Sequence, residues 1–502
     1  MKWSYRLKRW VASGLRVHAG WRRPRPDTGK RQQGQSPSVP PGSPEPVART
    51  PMRELVNLAW PIAAGMLGET ALGLVDTKLV GGLGPAALGG VGMATVLLYL
   101  GYSVVFGLMR GVKVRAAHAV GAGRGGDAIR YAHAGIVFGV IAGVVLFFAA
   151  RDLSAVLQWL QVDPSMIPCA RDYLEARSMG AVGTCGVAAL IQYRQGMGDA
   201  RTPMVVGLLG NLVNAGLAYS LIYGRFGLPA LGARGAGYGT AATEMLELAV
   251  LLALVVREGR QKPRPSLSLR QAMREVAGIG VPTGLHFGFE IAAFTTFTAI
   301  LGSFGAVQMA AHQITMNTIR ASFLPGVAVA EAASVLVARS LGQRRLDEAD
   351  RTTRAALLLG VGFMTICGVF FGLFGAQIAS GFSDDAQVIV IARRLFLVAA
   401  VFQALDAANM VLRGALRGAK DVRWVAVVGT LIVWCTIPGM AFVLGRMMGW
   451  GAVGGWLGFV LETTIGALVM GYRWHRGAWR AEFAEQKREI TPEPALATAT
   501  PA

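Results

Sequence analysis

The residues best suited to do chemistry in this chain are acidic side chains placed inside long apolar segments. Glu290 and Asp406 each lie in a strongly apolar stretch, with no lysine or arginine one helical turn away. An ionised group at the centre of a membrane costs at least about 2.5–3.5 kcal/mol, so such residues usually carry a function. A carboxylate held there can take up a proton, coordinate Na⁺ or pair with an organic cation. The sequence therefore predicts ion or cation binding by Glu290 and Asp406.

Other acids also lie in apolar segments. Glu69 and Asp76 are seven residues apart in the first segment, which places them on one helical face about 10 Å apart along the axis. Glu331 lies in the eighth segment. Three further acids lie near a segment end, where packing between helices is the better interpretation: Glu244, Glu247 and Glu462.

Uncharged polar residues could complete a site. Gln313 and Asn317 are four residues apart and share a helical face, and Asn214 lies in the fifth segment; interhelical hydrogen bonding is an equally good interpretation of all three. We interpret His312 as structural rather than as a proton carrier. We expect four residues to give polar support to a cavity: Gln313, Asn317, Glu69 and Glu331.

The composition limits the class of protein that must position these residues. The chain has 502 residues, of which 53% are hydrophobic and 16% charged, with 66 glycines besides. Soluble proteins average about 25% charged residues. A soluble enzyme, a disordered chain and a disulfide-stapled domain are excluded, and a polytopic membrane protein rich in close helix packing remains. The four cysteines are widely spaced without a CxxC pair, so we expect no metal site, no disulfide framework and no cofactor.

The apolar segments predict an all-α membrane protein. Each is long enough to cross a hydrocarbon core of ~30 Å. Twelve are present, near residues 55–82, 87–112, 131–150, 170–193, 203–224, 234–256, 276–301, 306–337, 354–376, 388–415, 424–445 and 450–473.

Loop charges predict the orientation of these segments. Residues 1–50 hold eleven Lys or Arg against two acids, and the loops near Arg124, Arg260 and Arg345 are similarly basic. The opposite loops carry fewer basic residues, partly offset by acids. Because cytoplasmic loops are enriched in Lys and Arg, both termini are predicted to be cytoplasmic, which requires an even number of spans. The basic, proline-rich segment 1–50 is predicted to be a disordered cytoplasmic arm.

An internal repeat divides the segments into two halves. At an offset of 221 residues the matching pairs are Pro61 and Pro282, Glu69 and Glu290, Gly84 and Gly305, Gly121 and Gly342, Arg124 and Arg345, Asp127 and Glu348, and Arg130 and Arg351. The predicted organisation is an N-lobe at 51–256, a basic linker at 257–274, a C-lobe at 275–475 and a tail at 476–502. Two parallel six-helix halves place a substrate site between them and rock to alternate its access, which favours a transporter.

A basic group near the end of the second segment does not fit a simple apolar span. Arg110 and Lys113 lie there, and Arg110 occupies the position equivalent to Glu331 in the repeat. A buried contact between Arg110 and Glu331 is one interpretation, but we favour snorkelling of the basic residues to the cytoplasmic surface. Arg320, midway along the eighth segment, needs a partner that the sequence does not identify.

Several motifs in order resemble the MATE (multidrug and toxic compound extrusion) family, most closely its NorM-type bacterial members. The resemblance covers about 51–475. It rests on Trp60-Pro61 with Val75-Asp-Thr77, Gly121-Ala-Gly-Arg124, Gln195-Gly-Met-Gly-Asp-Ala-Arg-Thr-Pro203, Ala310-Ala-His-Gln313 with Asn317 and Pro325, and Leu412-Arg-Gly-Ala-Leu-Arg-Gly-Ala-Lys-Asp421.

The resemblance implies twelve transmembrane helices in two pseudo-symmetric six-helix bundles around a central cavity. It also implies export of cationic amphipathic compounds in exchange for inward H⁺ or Na⁺. Its functional acids fall on Asp76, Glu290 and Asp406, and its helix 5 asparagine falls on Asn214. Ala218 departs from the pattern, because many relatives have a second polar residue there. The N-lobe ion site is therefore less well supported.

We expect a monomeric multidrug antiporter of the bacterial inner membrane that acts on small cationic molecules and binds no nucleic acid. Glu290 and Asp406 are the predicted ion-coupling pair, with Na⁺ as one candidate ion. A lipid-linked oligosaccharide flippase is the alternative, because Arg320, Arg110 and Arg413 could bind a pyrophosphate. An enzyme is disfavoured, since the sequence has no GxSxG motif, metal cluster or phosphate-binding loop.

Overall fold

The computed structural model describes residues 50–159, 162–477 and 479–480. All regular elements in these ranges are helical, which confirms the all-α prediction. The predicted arm at 1–50 and most of the tail at 476–502 lie outside the described residues.

The helices follow one another with short connections. In chain order they are α1 (Pro51–Gly81), α2 (Pro85–Gly121), α3 (Gly125–Trp159), α4 (Ile167–Ser178), α5 (Ala181–Gly196), α6 (Arg201–Tyr223), α7 (Ala233–Gly259), α8 (Leu269–Gly302), α9 (Ala306–Gly342), α10 (Leu346–Ser380), α11 (Ala386–Gly418), α12 (Val422–Met440, continued by a π-helical segment Ala441–Met447) and α13 (Gly451–Arg476).

Eleven helices in the described ranges are long and apolar enough to cross a membrane. Twelve spans were predicted. The predicted span without a matching long helix is the fourth, 170–193, which the structure divides into α4 and α5 at Met179 and Gly180. The reason is that α4 is polar, because it carries Arg171, Asp172, Glu175 and Arg177 within twelve residues. Only α5 continues the apolar pattern, and it packs against α3 through Gly139, whose position approaches the Cys185 carbonyl group.

The segment between the two halves is non-helical only in its central part. Helix α7 extends to Gly259 and α8 begins at Leu269, so only residues 260–268 are non-helical within the expected 257–274. The Asp127 carboxylate fixes this segment by accepting hydrogen bonds from the backbone N–H groups of Ser266 at 2.9 Å and Leu267 at 3.1 Å. The linker is therefore attached to the N-terminal end of α3.

Each half has its own apolar core, and a third core joins them. The core of the first half is built on α2, α3 and α5, and that of the second on α8, α10, α11 and α13. The joining core brings Leu55, Leu58 and Ile62 of α1 against Ala328–Ala338 of α9. The halves therefore meet through the N-terminal part of α1 and the C-terminal part of α9.

The same end of the molecule is closed by a pseudo-symmetric helix crossing. A Cβ atom on Gly121 of α2 would overlap the carbonyl oxygen of Arg339, and one on Gly342 of α9 would overlap that of His118. These four residues are two pairs related by the 221-residue repeat. Further from this end, α2 packs closely against α8, since a Cβ on Gly107 would lie 2.5 Å from the Gly284 Cα. The two halves are closed at the end that bears loops 122–124 and 343–345.

Candidate functional site

The strongest charged cluster of the second half is organised by one arginine. The Arg413 guanidinium on α11 lies 3.3 Å from the Glu290 carboxylate on α8 and 2.6 Å from the Glu462 carboxylate on α13. Asn409, one turn earlier on α11, donates a 3.1 Å hydrogen bond to Glu462. We call Glu290, Asp406, Arg413 and Glu462 the Arg413 cluster. One arginine faces three acids, so the cluster carries an excess of negative charge when all four are ionised.

Asp406 is the acid of this cluster that keeps its carboxylate available. It lies two turns before Arg413 on α11 and interacts electrostatically with Arg413, Glu462 and Glu290. Within the described residues no hydrogen bond or ion pair involves its side chain. A half-buried carboxylate beside a shared arginine can accept a proton or a small cation with little rearrangement.

Asp76 and Asn214, the two candidate site residues of the first half, are hydrogen-bonded to each other. The Asn214 amide on α6 donates to the two Asp76 carboxylate oxygens on α1 at 3.4 and 3.3 Å. Asn214 is 1% exposed, and its own carbonyl oxygen Oδ1 has no hydrogen-bond partner in the described structure. Carboxylate and amide oxygens are ligands that hard cations accept. Ala218, one turn further on, is buried and adds no polar atom.

A second buried arginine organises other acids of the first half. Arg177 on α4 lies 2.7 Å from Glu244 on α7 and 3.2 Å from the Thr184 hydroxyl on α5. Its guanidinium also lies over the Tyr102 ring at 5.6 Å. Glu247 interacts electrostatically with Glu244 and Glu69, so these acids lie close together. The ion pair gives Glu244 the packing role that its position predicted.

The snorkelling interpretation of the second-segment cations is wrong. Arg110 Nε lies 3.3 Å from Glu331 Oε1, and Arg417 donates to the same oxygen at 2.8 Å. The Lys113 ammonium pairs with Glu331 Oε2. Lys113 is 0% exposed and Glu331 4%, so neither reaches an aqueous surface. The cations stay buried because an anion from the other half lies beside them. We call Arg110, Lys113, Glu331 and Arg417 the Glu331 cluster.

The two halves contribute polar residues to a shared central region beyond the closed end. Tyr99 on α2 is 45% exposed and interacts electrostatically with Glu69 of the first half and with Arg320 and Glu290 of the second. Arg110 interacts with both Tyr99 and Glu290, and its guanidinium lies over the Phe287 ring at 4.8 Å. Polar groups from both halves thus lie close together in this central region.

Three of the four residues predicted to give polar support to the cavity are exposed, and the fourth, Glu331, is buried. Gln313, Asn317, Arg320 and Glu69 are exposed, and within the described residues none of them has a side-chain hydrogen bond or ion pair. Glu331 instead lies inside the closed end. The four exposed groups would be costly against lipid, which favours a water-filled opening at this level.

His312 is enclosed by aromatic side chains. The Trp456 indole N–H donates to His312 Nδ1 at 3.2 Å, and the Phe297 ring packs edge-on at 5.6 Å. His312 is 2% exposed. These contacts fit the structural role that we assigned to it.

Two arginine partners of the buried acids were not predicted from the sequence. Arg413 was considered only for a pyrophosphate, although it lies seven residues after Asp406 and on the same helical face. Arg177 was not considered at all, and its place in an otherwise polar short helix is the signal that could have found it. Among the described residues no three His, Cys, Asp or Glu side chains are grouped as metal ligands.

An all-helical multi-pass membrane protein whose two repeated halves meet around buried charges has the architecture of secondary transporters. The chain belongs to the MatE family, whose model matches residues 61–220 and 282–442. The two matches begin at Pro61 and Pro282, the first pair of the 221-residue repeat. The resemblance to the MATE family and the predicted fold class are thereby confirmed.

Individual relatives match most of the chain. It is 27% identical over 431 residues to the multidrug resistance protein MdtK of Yersinia pestis (strain Pestoides F), a match covering 83% of this chain and 94% of the relative. MdtK of Yersinia pseudotuberculosis serotype O:1b (strain IP 31758) matches to the same extent.

Solved structures share the fold. The eukaryotic MATE transporter AtDTX14 aligns with a TM-score of 0.78 and 18% identity, over 88% of this chain and 99% of that chain. A MOP superfamily transporter from Pyrococcus furiosus aligns with a TM-score of 0.77 and 20% identity, over 87% and 97%. It is described as having a binding pocket of reverse polarity that suggests a different function.

Proposed function

We propose that this protein is a secondary active antiporter that exports cationic amphipathic compounds in exchange for inward H⁺ or Na⁺. The observation that carries the proposal is the Arg413 cluster, in which three carboxylates share one arginine and Asp406 has no partner of its own among the described residues. A cluster with excess negative charge favours a cation. The relatives named multidrug resistance protein MdtK support the same function.

Alternating access would follow from the pseudo-symmetric halves. The closed end bears the basic loops at Arg124 and Arg345, and the positive-inside rule assigns that end to the cytoplasm. The protein is then open toward the outside in this structure. Rocking of the halves about their contact would close the outer end and open the inner one.

The exchange would use the same acids twice. An inward cation that neutralises Asp406 or Glu290 removes the charge that holds a cationic substrate, so the substrate leaves to the outside. On the inner side, loss of the ion restores the negative charge and allows a new substrate to bind. An inward charge moving through 100 mV supplies about 2.3 kcal/mol, and this drives export against a gradient.

Asp76 and Asn214 would form a second cation site in the first half. The buried, unpartnered Asn214 carbonyl oxygen and the Asp76 carboxylate provide oxygen ligands. Ala218 contributes none, so this site would bind a cation more weakly than one with a further polar ligand.

The flippase alternative receives little support from the positions of the arginines. Arg110 and Arg413, two of the three candidates for a pyrophosphate site, are each paired with carboxylates. Only Arg320 lacks a carboxylate within ion-pair distance among the described residues. A pyrophosphate would have to displace buried acids to be bound by all three.

Ethidium efflux from energised inverted vesicles tests the proposal. We expect efflux by the wild type to collapse when the proton gradient, or the Na⁺ gradient if that ion is coupled, is dissipated. Glu290→Gln and Asp406→Asn should each reduce ion-driven efflux by about tenfold or more, since each removes a charge within the membrane. Glu348→Gln, an exposed acid on α10, is the matched control and should keep wild-type efflux. Full efflux by both cluster variants would refute the proposed coupling.

A further inference from the structure

Glu331 links the two halves through a buried ion cluster. It lies on α9 of the second half, while Arg110 and Lys113 lie on α2 of the first. Arg417 on α11 completes the set from the side of Glu331's own half. Within this cluster, the pairs between the halves are therefore made by one carboxylate with two cations, and Arg115 of α2 forms a separate pair with Glu275 of α8 at 3.3 Å.

These pairs can exist only while the closed end stays closed. Lys113 is 0% exposed and has Glu331 as its ion-pair partner in the described structure. The cluster lies on the same part of α2 and α9 as their crossing at Gly121 and Gly342, two to three turns further along each helix. Separating α2 from α9 would remove the anion from Lys113 and Arg110. A buried pair that loses one partner leaves an uncompensated charge, which strongly favours the closed arrangement.

The Glu331 cluster is also electrostatically continuous with the Arg413 cluster. Arg417 and Arg413 are one turn apart on α11, and Arg417 interacts with Glu290 and Arg110 as well as with Arg413. Arg110 interacts with Glu290 directly. His286, one turn before Glu290 on α8, faces the same arginines and is hydrogen-bonded to Thr430 at 2.9 Å. The charges of the contact between the halves and those of the candidate ion site therefore interact with one another.

The charges of the two clusters balance. The four acids are Glu290, Glu331, Asp406 and Glu462, and the four cations are Arg110, Lys113, Arg413 and Arg417. With all eight ionised and His286 neutral, the sum is zero. A cation that neutralises Asp406 or Glu290 leaves one positive charge in excess. That excess acts on Arg110, Lys113 and Arg417, the three cations paired with the Glu331 carboxylate.

We propose that Glu331, Lys113 and Arg110 form a charge-sensitive latch, which keeps the halves closed at this end and loosens when a cation neutralises the Arg413 cluster. The inference rests on the proposed function, because it assigns to these residues the coupling between ion binding and opening. Glu331 is a positioning residue here, since it acts on the halves and touches no transported group.

Distance measurements between the halves test the latch. Ala122→Cys and Gln343→Cys place spin labels at equivalent exposed positions beside the crossing, in a full-length chain whose Cys169, Cys185, Cys367 and Cys435 are replaced by serine. Double electron–electron resonance on the protein in liposomes then measures the distance distribution between the two labels, which gives the closed and separated populations. We expect Glu331→Gln to raise the separated-to-closed ratio about tenfold or more, because it removes the carboxylate that Arg110 and Lys113 of the other half share.

Two further variants keep the test independent of a folding defect. Lys113→Met should raise the same ratio, and combining it with Glu331→Gln should give less than the product of the two effects. Glu175→Gln removes an exposed acid that pairs with Arg171 and Arg234, and it should leave the distances unchanged. Unchanged distances in both Glu331→Gln and Lys113→Met, with normal size-exclusion profiles, would overturn the latch.

The link to the ion site has its own measurement. Glu290→Gln, or Asp406→Asn, mimics neutralisation and should also raise the separated population in the absence of any gradient. If efflux is ion-driven but neither variant moves the distances, the latch is wrong while the proposed function stands. If the distances respond but the wild type shows no ion-driven efflux, the antiport function fails and the latch stands.

Discussion

The guanidinium of Arg413 lies 3.3 Å from the carboxylate of Glu290, although the two residues belong to different helices and are 123 positions apart. The Glu290 carboxylate therefore has an ion-pair partner inside the protein. Any cation that binds it must compete with an arginine that also serves Glu462. In the proposed antiport, Asp406 would therefore receive a cation first.

Arg413 should be essential for the stability of the second half. Arg413→Met leaves Glu290 and Glu462 without their cation, and we expect a loss of about 3–5 kcal/mol in the free energy of unfolding. Denaturant titration of the detergent-purified protein, followed by tryptophan fluorescence, measures it. Arg171→Met removes an exposed arginine from its pair with Glu175 and should cost within about 1 kcal/mol. Equal losses in the two variants would contradict the shared-arginine interpretation.

Asn214 should stabilise the first half through Asp76. Asn214→Ala removes the amide that donates to the carboxylate, and a hydrogen bond to a charged group contributes about 1.5–3 kcal/mol. We expect a loss of that size in denaturant titration, together with weaker ion-driven efflux. Asn211→Ala on the same helix is the control, because no hydrogen bond of the Asn211 side chain is present in the described structure. A smaller effect for Asn214 than for Asn211 would argue against the pairing.

The glycine crossing should tolerate no side chain. Gly121→Ala places a methyl group against the Arg339 carbonyl group and must push α2 away from α9. Overpacking of this kind costs about 1–3 kcal/mol, and we expect the closed population in the spin-label experiment to fall correspondingly. Gly278→Ala, on α8 with nothing within 4 Å of the added atom, should leave the distances unchanged. A shift with Gly278→Ala and none with Gly121→Ala would reverse our assignment of the contact.

Asp127 should protect the linker from proteolysis. Asp127→Ala removes the acceptor for Ser266 and Leu267, so residues 260–268 should detach more often. We expect trypsin to cleave after Arg260 about tenfold faster, corresponding to about 1.4 kcal/mol in the opening equilibrium; Lys262 and Arg264 precede prolines and resist cleavage. Glu348→Ala, the repeat counterpart of Asp127, has only Arg345 beside it at 3.4 Å and should not alter the cleavage rate. Identical rates for Asp127→Ala and wild type would show that the contact does not fix the linker.

Much of the fold could be predicted because membrane insertion imposes simple rules on the chain. Long apolar segments must be helical, and the 221-residue repeat divides them into halves. The fourth segment was predicted wrongly as one continuous membrane-spanning helix. Its first part, α4, is polar because Arg177 and Glu244 pair within the bundle, and a pair made by residues 67 positions apart leaves no periodic signal.

The charge partners were harder to predict for a related reason. Arg110 and Glu331 occupy equivalent repeat positions, and that equivalence pointed to a contact near the pseudo-symmetry axis. Snorkelling was favoured because a buried cation is expensive alone. The balance changes when Lys113 and Arg417 share the same carboxylate, and only the packing of α2 against α9 and α11 reveals that grouping.

The repeat that matches Glu69 with Glu290 has a further consequence. Glu290 is bound by an arginine, whereas Glu69 is exposed and has no such partner in the described structure. The two halves are therefore not equivalent at this position of the repeat. A tandem of two second halves would hold a guanidinium on both sides and lose this asymmetry between the bundles.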